Sequence, residues 1–159
     1  MKEEYKRLPL RSGVGIVLLN KENKVFVAKR IDNPKNFWQM PQGGIDKGED
    51  FYTAALRELK EETSITSIKL IKEIEGNFTY ILPDNLIGII WKGKFRGQKQ
   101  KWFIMKFLGN KNEINVKTKN PEFLEWKWIE PSILTDLAVD FKFDIYNKIK
   151  QELRSLNLN

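Results

Sequence analysis

The chain of 159 residues contains no cysteine and no histidine. Without cysteine there can be no disulfide, no thiolate nucleophile and no thiolate metal site. Without histidine the commonest general base is missing, and with it Ser-His-Asp catalysis and imidazole-bound zinc. Any catalysis must rest on carboxylates, Lys, Arg, Tyr, hydroxyls or a bound ion. An oxygen-ligand site favours hard cations, Mg²⁺ or Mn²⁺. Long apolar runs are also missing. Residues 15–19 (GIVLL) and 86–91 (LIGIIW) are far too short to span a bilayer. The opening residues 1–7 (MKEEYKR) lack the apolar segment of a signal peptide. A cytoplasmic location is expected by default, with no membrane partner.

What is present is ordinary apolar content and a formal net charge of +7. The length suits one domain with a real core. The basic balance fits a polyanionic partner, nucleic acid or a phosphate-rich small molecule. Solubility alone explains the same charge, so it selects no function.

One stretch carries more information. Residues 43–65 read GGIDKGEDFYTAALRELKEETSI, a glycine-rich loop leading into a helix. At about 100° per residue, Glu58, Glu61 and Glu62 fall within an arc of about 100°. Tyr52, Ala55, Leu56, Leu59 and Thr63 fall on the adjoining face and are expected to pack on a core. Like charges at these spacings repel by a few tenths of a kcal/mol per pair. A cation would offset that repulsion; a solvated acidic face is the alternative. Asp50 is placed to cap the helix, and Glu49 adds negative charge at the positive end of its dipole.

Along the rest of the chain, residues 12–19 and 24–30 alternate as strands around a turn at residues 20–23 and predict a hairpin. Asn33-Pro34 signals a loop. Residues 38–42 lead into the glycine loop, and Pro41 makes that piece an edge or an exit from a strand. Strands are predicted at 68–74 and 78–82, the second ending at a turn over 83–85. Residues 86–95 and 101–108 are predicted to form an antiparallel pair around a turn at 96–100. A short strand at 114–116, a last strand at 123–129 and a turn or short helix at 131–137 follow. Ile145, Ile149, Leu153 and Leu156 step at helical spacing and predict a C-terminal amphipathic helix beginning near Phe141. Strands clustered around two main helices predict a mixed α/β (α+β) domain over 1–159.

The 43–65 stretch resembles the Nudix box residue by residue. Gly43, Glu49, Arg57, Glu58, Leu59, Glu61, Glu62 and Ile65 fill that family's fixed positions, with Gly44 beside the first glycine. Ser64 stands where the family usually has glycine, a residue that takes positive φ freely at a helix exit. The resemblance implies the Nudix fold, a mixed sheet flanked by helices with the box as loop, helix and loop. It implies hydrolysis of a phosphoanhydride bond. Glu58, Glu61 and Glu62 would hold divalent metal, two or three Mg²⁺ or Mn²⁺ ions with substrate bound. Arg57 would orient the glutamates by charge-assisted hydrogen bonds. Gly43 and Gly44 would let the loop approach the metal closely.

Outside the box, Arg11-Ser-Gly-Val-Gly15, residues 38–43, residues 97–103, Pro121-Glu-Phe123 with Trp126 and Trp128, and Val139-Asp-Phe-Lys142 resemble the bacterial RNA 5′-pyrophosphohydrolases and the related dinucleoside polyphosphate hydrolases. This implies removal of pyrophosphate, or of phosphates stepwise, from the 5′ end of RNA, promoting mRNA turnover. Asymmetric cleavage of a dinucleoside polyphosphate such as diadenosine tetraphosphate and a non-catalytic nucleotide-binding module are the alternatives. A monomer is expected. By resemblance Arg11, Lys29, Arg30, Gln98 and Lys142 are candidates for phosphate contact, Tyr80 for a hydrogen bond to phosphate, and Phe141 for stacking on the first base. Glu122 would complete the metal site, and Glu62 or Glu122 would accept the proton of the attacking water. Lys29 and Arg30 alternate on a strand, so both can face the site only if the strand twists or bulges. Trp126 and Trp128 share one strand face and read as core. Leu10, Leu124-Glu125 and Phe143 depart from common residues of that group.

Overall fold

A computed structural model describes residues 1–32, 35 and 37–156; the Asn33-Pro34 loop signal lies outside these residues. The elements in chain order are β1 (Leu10–Leu19), β2 (Val25–Arg30), β3 (Gln42–Gly44), α1 (Phe51–Thr63), β4 (Ile68–Glu73), β5 (Phe78–Ile81), β6 (Gly97–Phe107), β7 (Phe123–Ile129), α2 (Leu134–Leu137) and α3 (Phe143–Ser155). Among the described residues the strands form a seven-stranded mixed sheet in the order β4-β6-β1-β2-β7, with β3 added to β1 and β5 added to β6.

The sheet is covered on both faces, and strand alternation assigns each residue to one of them. Val14, Ile16 and Leu18 of β1 join Phe26 and Ala28 of β2 and Phe103, Met105 and Phe107 of β6. They pack with Ala54, Ala55 and Leu59 of α1. Val17 and Leu19 face the other way, with Val25, Val27, Trp102 and Ile104, and meet Ile145, Tyr146, Ile149 and Leu153 of α3. This burial on both faces explains why β1 and β2 read as near-continuous apolar runs. At Gly15 a Cβ would lie 2.3 Å from the Trp102 ring, so the second layer can close only over glycine.

β1 and β6 pair in parallel over ten consecutive partners, from Leu10 with Gly97 to Leu19 with Lys106. β4 and β5 pair antiparallel with β6. Two strand predictions are corrected here. Residues 86–95 are not a strand, and 97–100 are strand instead of turn. Gly88 and Gly93 have positive φ, and Trp91 (φ 54) and Lys92 (φ 58) are left-handed, so this backbone cannot extend along a ladder. Its apolar side chains Leu86, Ile87, Ile90 and Trp91 join the α3-side core instead. Residues 114–116 are not a strand either. Ile114 and Val116 are buried in the α1-side core, and the Asn115 amide donates to the Thr63 carbonyl at 2.9 Å.

The helix predictions fall close to the observed ends. Asp50 accepts from the Thr53 amide at 2.7 Å and caps α1. Ser64 takes the left-handed exit conformation, φ 68 and ψ 6, that a glycine would favour. Its hydroxyl donates to the Asn115 carbonyl at 2.9 Å, tying the strained exit to the 114–116 loop. Leu156 follows the last turn of α3. Trp126 and Trp128 are partly buried, packed on Phe26.

Candidate active site

Arg57 is the hub of the glycine-loop helix. Its Nε and Nη2 donate to the two oxygens of Glu49, at 2.8 and 2.9 Å. Its Nη1 donates to Glu58 at 3.0 Å and to Glu61 at 3.2 Å. A further Nη2 bond of 3.0 Å reaches the Gly44 carbonyl, so one guanidinium ties helix to loop. The Glu49 carboxyl, also bonded by the Asp46 amide, is held down to about 2, chiefly by the Arg57 hydrogen bond.

The glycines fit closely around this hub. A Cβ on Gly43 would stand 2.0 Å from the Glu58 carboxyl carbon, and one on Gly44 would stand 2.2 Å from an Arg11 guanidinium nitrogen. Only glycine lets the loop lie against both charged groups.

Glu62 is 3% exposed, and neither of its carboxylate oxygens has a hydrogen-bond partner. Burial pushes its carboxyl well up, and the Glu122 and Glu58 charges add to the rise. Burial also raises Glu58, against the opposing pull of Arg57. Glu122, just before β7, is exposed and acts electrostatically on both. An orphaned buried carboxylate beside two others, all hard oxygen donors, suits a divalent cation. Among the described residues no three carboxylates form a ready-made cage. Glu58 and Glu61 are instead turned to Arg57.

These groups border a cleft of about 1170 Å³ lined by Arg11, Arg30, Gly43, Glu58, Tyr80 and Glu122, with Phe141 and Lys142 on another wall. Lys142 is 7% exposed; burial, with Arg30 nearby, pulls its ammonium down to about 7. Its Nζ lies 5.6 Å from the Tyr80 ring centroid and 5.9 Å from that of Phe141.

Residues 9–149 match the NUDIX domain. The chain belongs to the Nudix family. An RNA pyrophosphohydrolase of Pelagibacter ubique is 65% identical over 156 residues, covering 98% of this chain and 99% of the relative. One from Rickettsia typhi is 44% identical over 153 residues, covering 96% and 95%. The fold resembles the E. coli dihydroneopterin triphosphate pyrophosphohydrolase, with TM-score 0.71 at 20% identity, covering 91% of this chain and 99% of that one. It also resembles a C. elegans Ap4A hydrolase, with TM-score 0.63 at 22% identity and the same coverage.

Not every Nudix expectation about the cleft fits its geometry. Arg30 lines it and Lys29 does not. The β2–β7 register shifts between these two residues, and Arg30 forms a two-pronged pair with Asp32 at 2.8 and 2.9 Å. Gln98 is fully buried, so it cannot touch a phosphate in the cleft. It lies beneath the loop, with Nε2 3.4 Å from the Gly43 carbonyl. Tyr80 gives its hydroxyl proton to Gln98 Oε1 at 2.8 Å, so that proton is directed inward, away from phosphate. Tyr80 shows the cleft its ring, 5.6 Å from Phe141, and burial raises its phenol to about 12. Gln100 and Trp102 extend this buried amide chain.

Sequence reasoning missed the part that residues 86–91 play in the cleft wall, including Ile89 and Trp91. Gly88 inside the apolar run and Gly93 just after it were the available signal against a strand.

Proposed function

We propose that this Nudix protein is a divalent-metal-dependent pyrophosphohydrolase that converts the 5′-triphosphate or diphosphate end of RNA to a 5′-monophosphate. The observation that carries the reading is the end-to-end likeness to an RNA pyrophosphohydrolase, 65% identical over 98% of this chain. The site chemistry agrees with it. Carboxylates border one side of the cleft, and Arg11, Arg30 and Lys142 supply cations around it.

Glu58, Glu61, Glu62 and Glu122 would hold Mg²⁺ or Mn²⁺, with Gly43 giving the loop its close approach. The bound ions would neutralise phosphate charge and make water a better nucleophile at neutral pH. Arg57 orients Glu58 and Glu61. Of the two carboxylates proposed to accept the proton of the attacking water, Glu122 lines the cleft whereas Glu62 is buried. Arg11, Arg30 and Lys142 stabilise charge on the transferred and leaving phosphates. Phe141, on the cleft wall, stacks on the first base. Such an enzyme acts as a monomer in the cytoplasm, where RNA with 5′-triphosphate ends is made.

The test is release of pyrophosphate or phosphate from 5′-triphosphorylated RNA and from diadenosine tetraphosphate, side by side, with and without Mg²⁺. Metal-dependent release from RNA, lost in Glu58→Gln and Glu62→Gln, is expected. Cleavage of diadenosine tetraphosphate alone refutes the RNA assignment. Unchanged release by both variants refutes the catalytic one.

A further inference from the structure

The wall formed by residues 86–94 has no part in the chemistry above, yet its build is unusual. Trp91 and Lys92 are consecutive non-glycine residues in the left-handed region, a conformation that crowds Cβ against the following carbonyl oxygen. Such strain persists only where the surroundings impose it. Here Trp91 is wedged between two groups. The Arg11 guanidinium carbon lies 5.2 Å from its ring centroid, and the Phe95 ring meets it edge-on at 6.1 Å. Trp91 is only partly buried and lines the cleft, so part of the indole is open to whatever enters. Ile89 lines the same wall and is 71% exposed.

Immediately beyond the indole, Lys92 and Lys94 are exposed and form no ion pair among the described residues. Asp84 is paired with the N-terminal ammonium at 3.7 Å, and Asp140 lines the cleft beside Phe141.

We propose that Trp91, Lys92 and Lys94 form a downstream subsite for single-stranded RNA. The second nucleobase packs on Trp91, and the following phosphodiesters meet the two lysines. This inference rests on the RNA reading above. The occupant follows from charge and continuity: an aromatic side chain on the cleft wall is followed at once in the chain by exposed lysines with no ion pair among the described residues. That sequence of groups suits alternating bases and phosphates. Arg11 joins the two regions, lying over Gly44 on one side and against Trp91 on the other.

The experiment compares three substrates: a 5′-triphosphorylated dinucleotide, a 5′-triphosphorylated single strand of about ten nucleotides, longer than one stacking platform covers, and diadenosine tetraphosphate. Trp91→Ala is expected to raise KM for both RNAs by about five- to 150-fold, the size of one lost base–aromatic contact. The effect falls on KM more than on kcat, and Trp91→Phe restores most of it. The exposed double variant Lys92→Gln/Lys94→Gln avoids any folding defect at Trp91. It is expected to lower the ratio of kcat/KM for the longer strand over the dinucleotide. It should also flatten the salt dependence of the longer strand by about 0.7 per lost cation in the log–log slope. An unchanged ratio and slope in the lysine variant, or a Trp91→Phe enzyme as impaired as Trp91→Ala, overturns the subsite. If wild type cleaves diadenosine tetraphosphate and no RNA, the proposed function falls as well. If wild type cleaves RNA and the ratio is unmoved, the subsite falls alone.

Discussion

Glu62→Gln should make the metal-free protein more stable while abolishing its response to metal. The substitution keeps shape and removes a charge from a site that is 3% exposed and without a hydrogen-bond partner. The new amide can donate to the neighbouring Glu58 or Glu122. In the wild type the folded-state carboxyl is raised above its ordinary value, so the folded protein holds this proton more tightly than the unfolded chain. Stability attributable to Glu62 is therefore intact in acid. It falls as pH rises from the ordinary glutamate value, and levels off above the raised folded value. Within that window the wild type loses about 1.4 kcal/mol per pH unit relative to the variant. For a chain of this size that is about 3–6 °C in Tm per unit. Melting curves in chelator near pH 4.5, 5.5, 6.5 and 8 read the difference directly. Added Mg²⁺ at about 100 times its Kd should restore about 2.7 kcal/mol to the wild type and little to the variant. A Glu62→Gln protein less stable than wild type throughout, or stabilised equally by Mg²⁺, refutes the account of Glu62 as a buried, cation-requiring charge.

Gly43→Ala forces a Cβ into the Glu58 carboxyl. Catalytic misplacement near 1 Å is worth about 100-fold, so kcat for pyrophosphate release should fall by about that factor while circular dichroism stays native. At the helix exit, Ser64→Ala and Ser64→Gly both lose the bond to Asn115. Only glycine relieves the left-handed strain, so the glycine variant should be the more stable of the two by about 1 kcal/mol in urea melts. Lys142 is held near 7 in the folded state, below the ordinary lysine value, so the unfolded chain binds its proton more tightly between those values. Stability due to this group rises with pH across that window. Lys142→Met should therefore be stabilising at pH 6, and the advantage should fade towards pH 10; an advantage growing with pH sinks the argument.

The parts of the site legible in the sequence are those encoded locally. Helical spacing places Glu58, Glu61 and Glu62 on one arc, the box resemblance adds Arg57, and Asp50 caps the helix that spacing predicts. Long-range pairing was not legible. The parallel contact of β1 with β6 leaves no mark in either segment, so residues 97–100 read as a turn. The 86–95 run has the composition of a strand, but its two glycines and left-handed pair fold it onto the core. Burial depth was equally hidden. The family resemblance puts Gln98 and Tyr80 at the phosphates, yet their polar atoms bond each other beneath the loop. The β2 irregularity that separates the fates of Lys29 and Arg30 arises from pairing with β7, almost a hundred residues on.

The parallel ladder also has a consequence for synthesis on the ribosome. Leu10 must wait for Gly97, and α3 covers β1 only once the last helix has been made. The residues of α1 emerge long before β6 or the cleft wall, and a helix of 13 residues is marginal on its own. Until then Glu62 has no interior to be buried in and titrates as an ordinary surface carboxylate. Its raised proton affinity is thus a marker of completed tertiary structure.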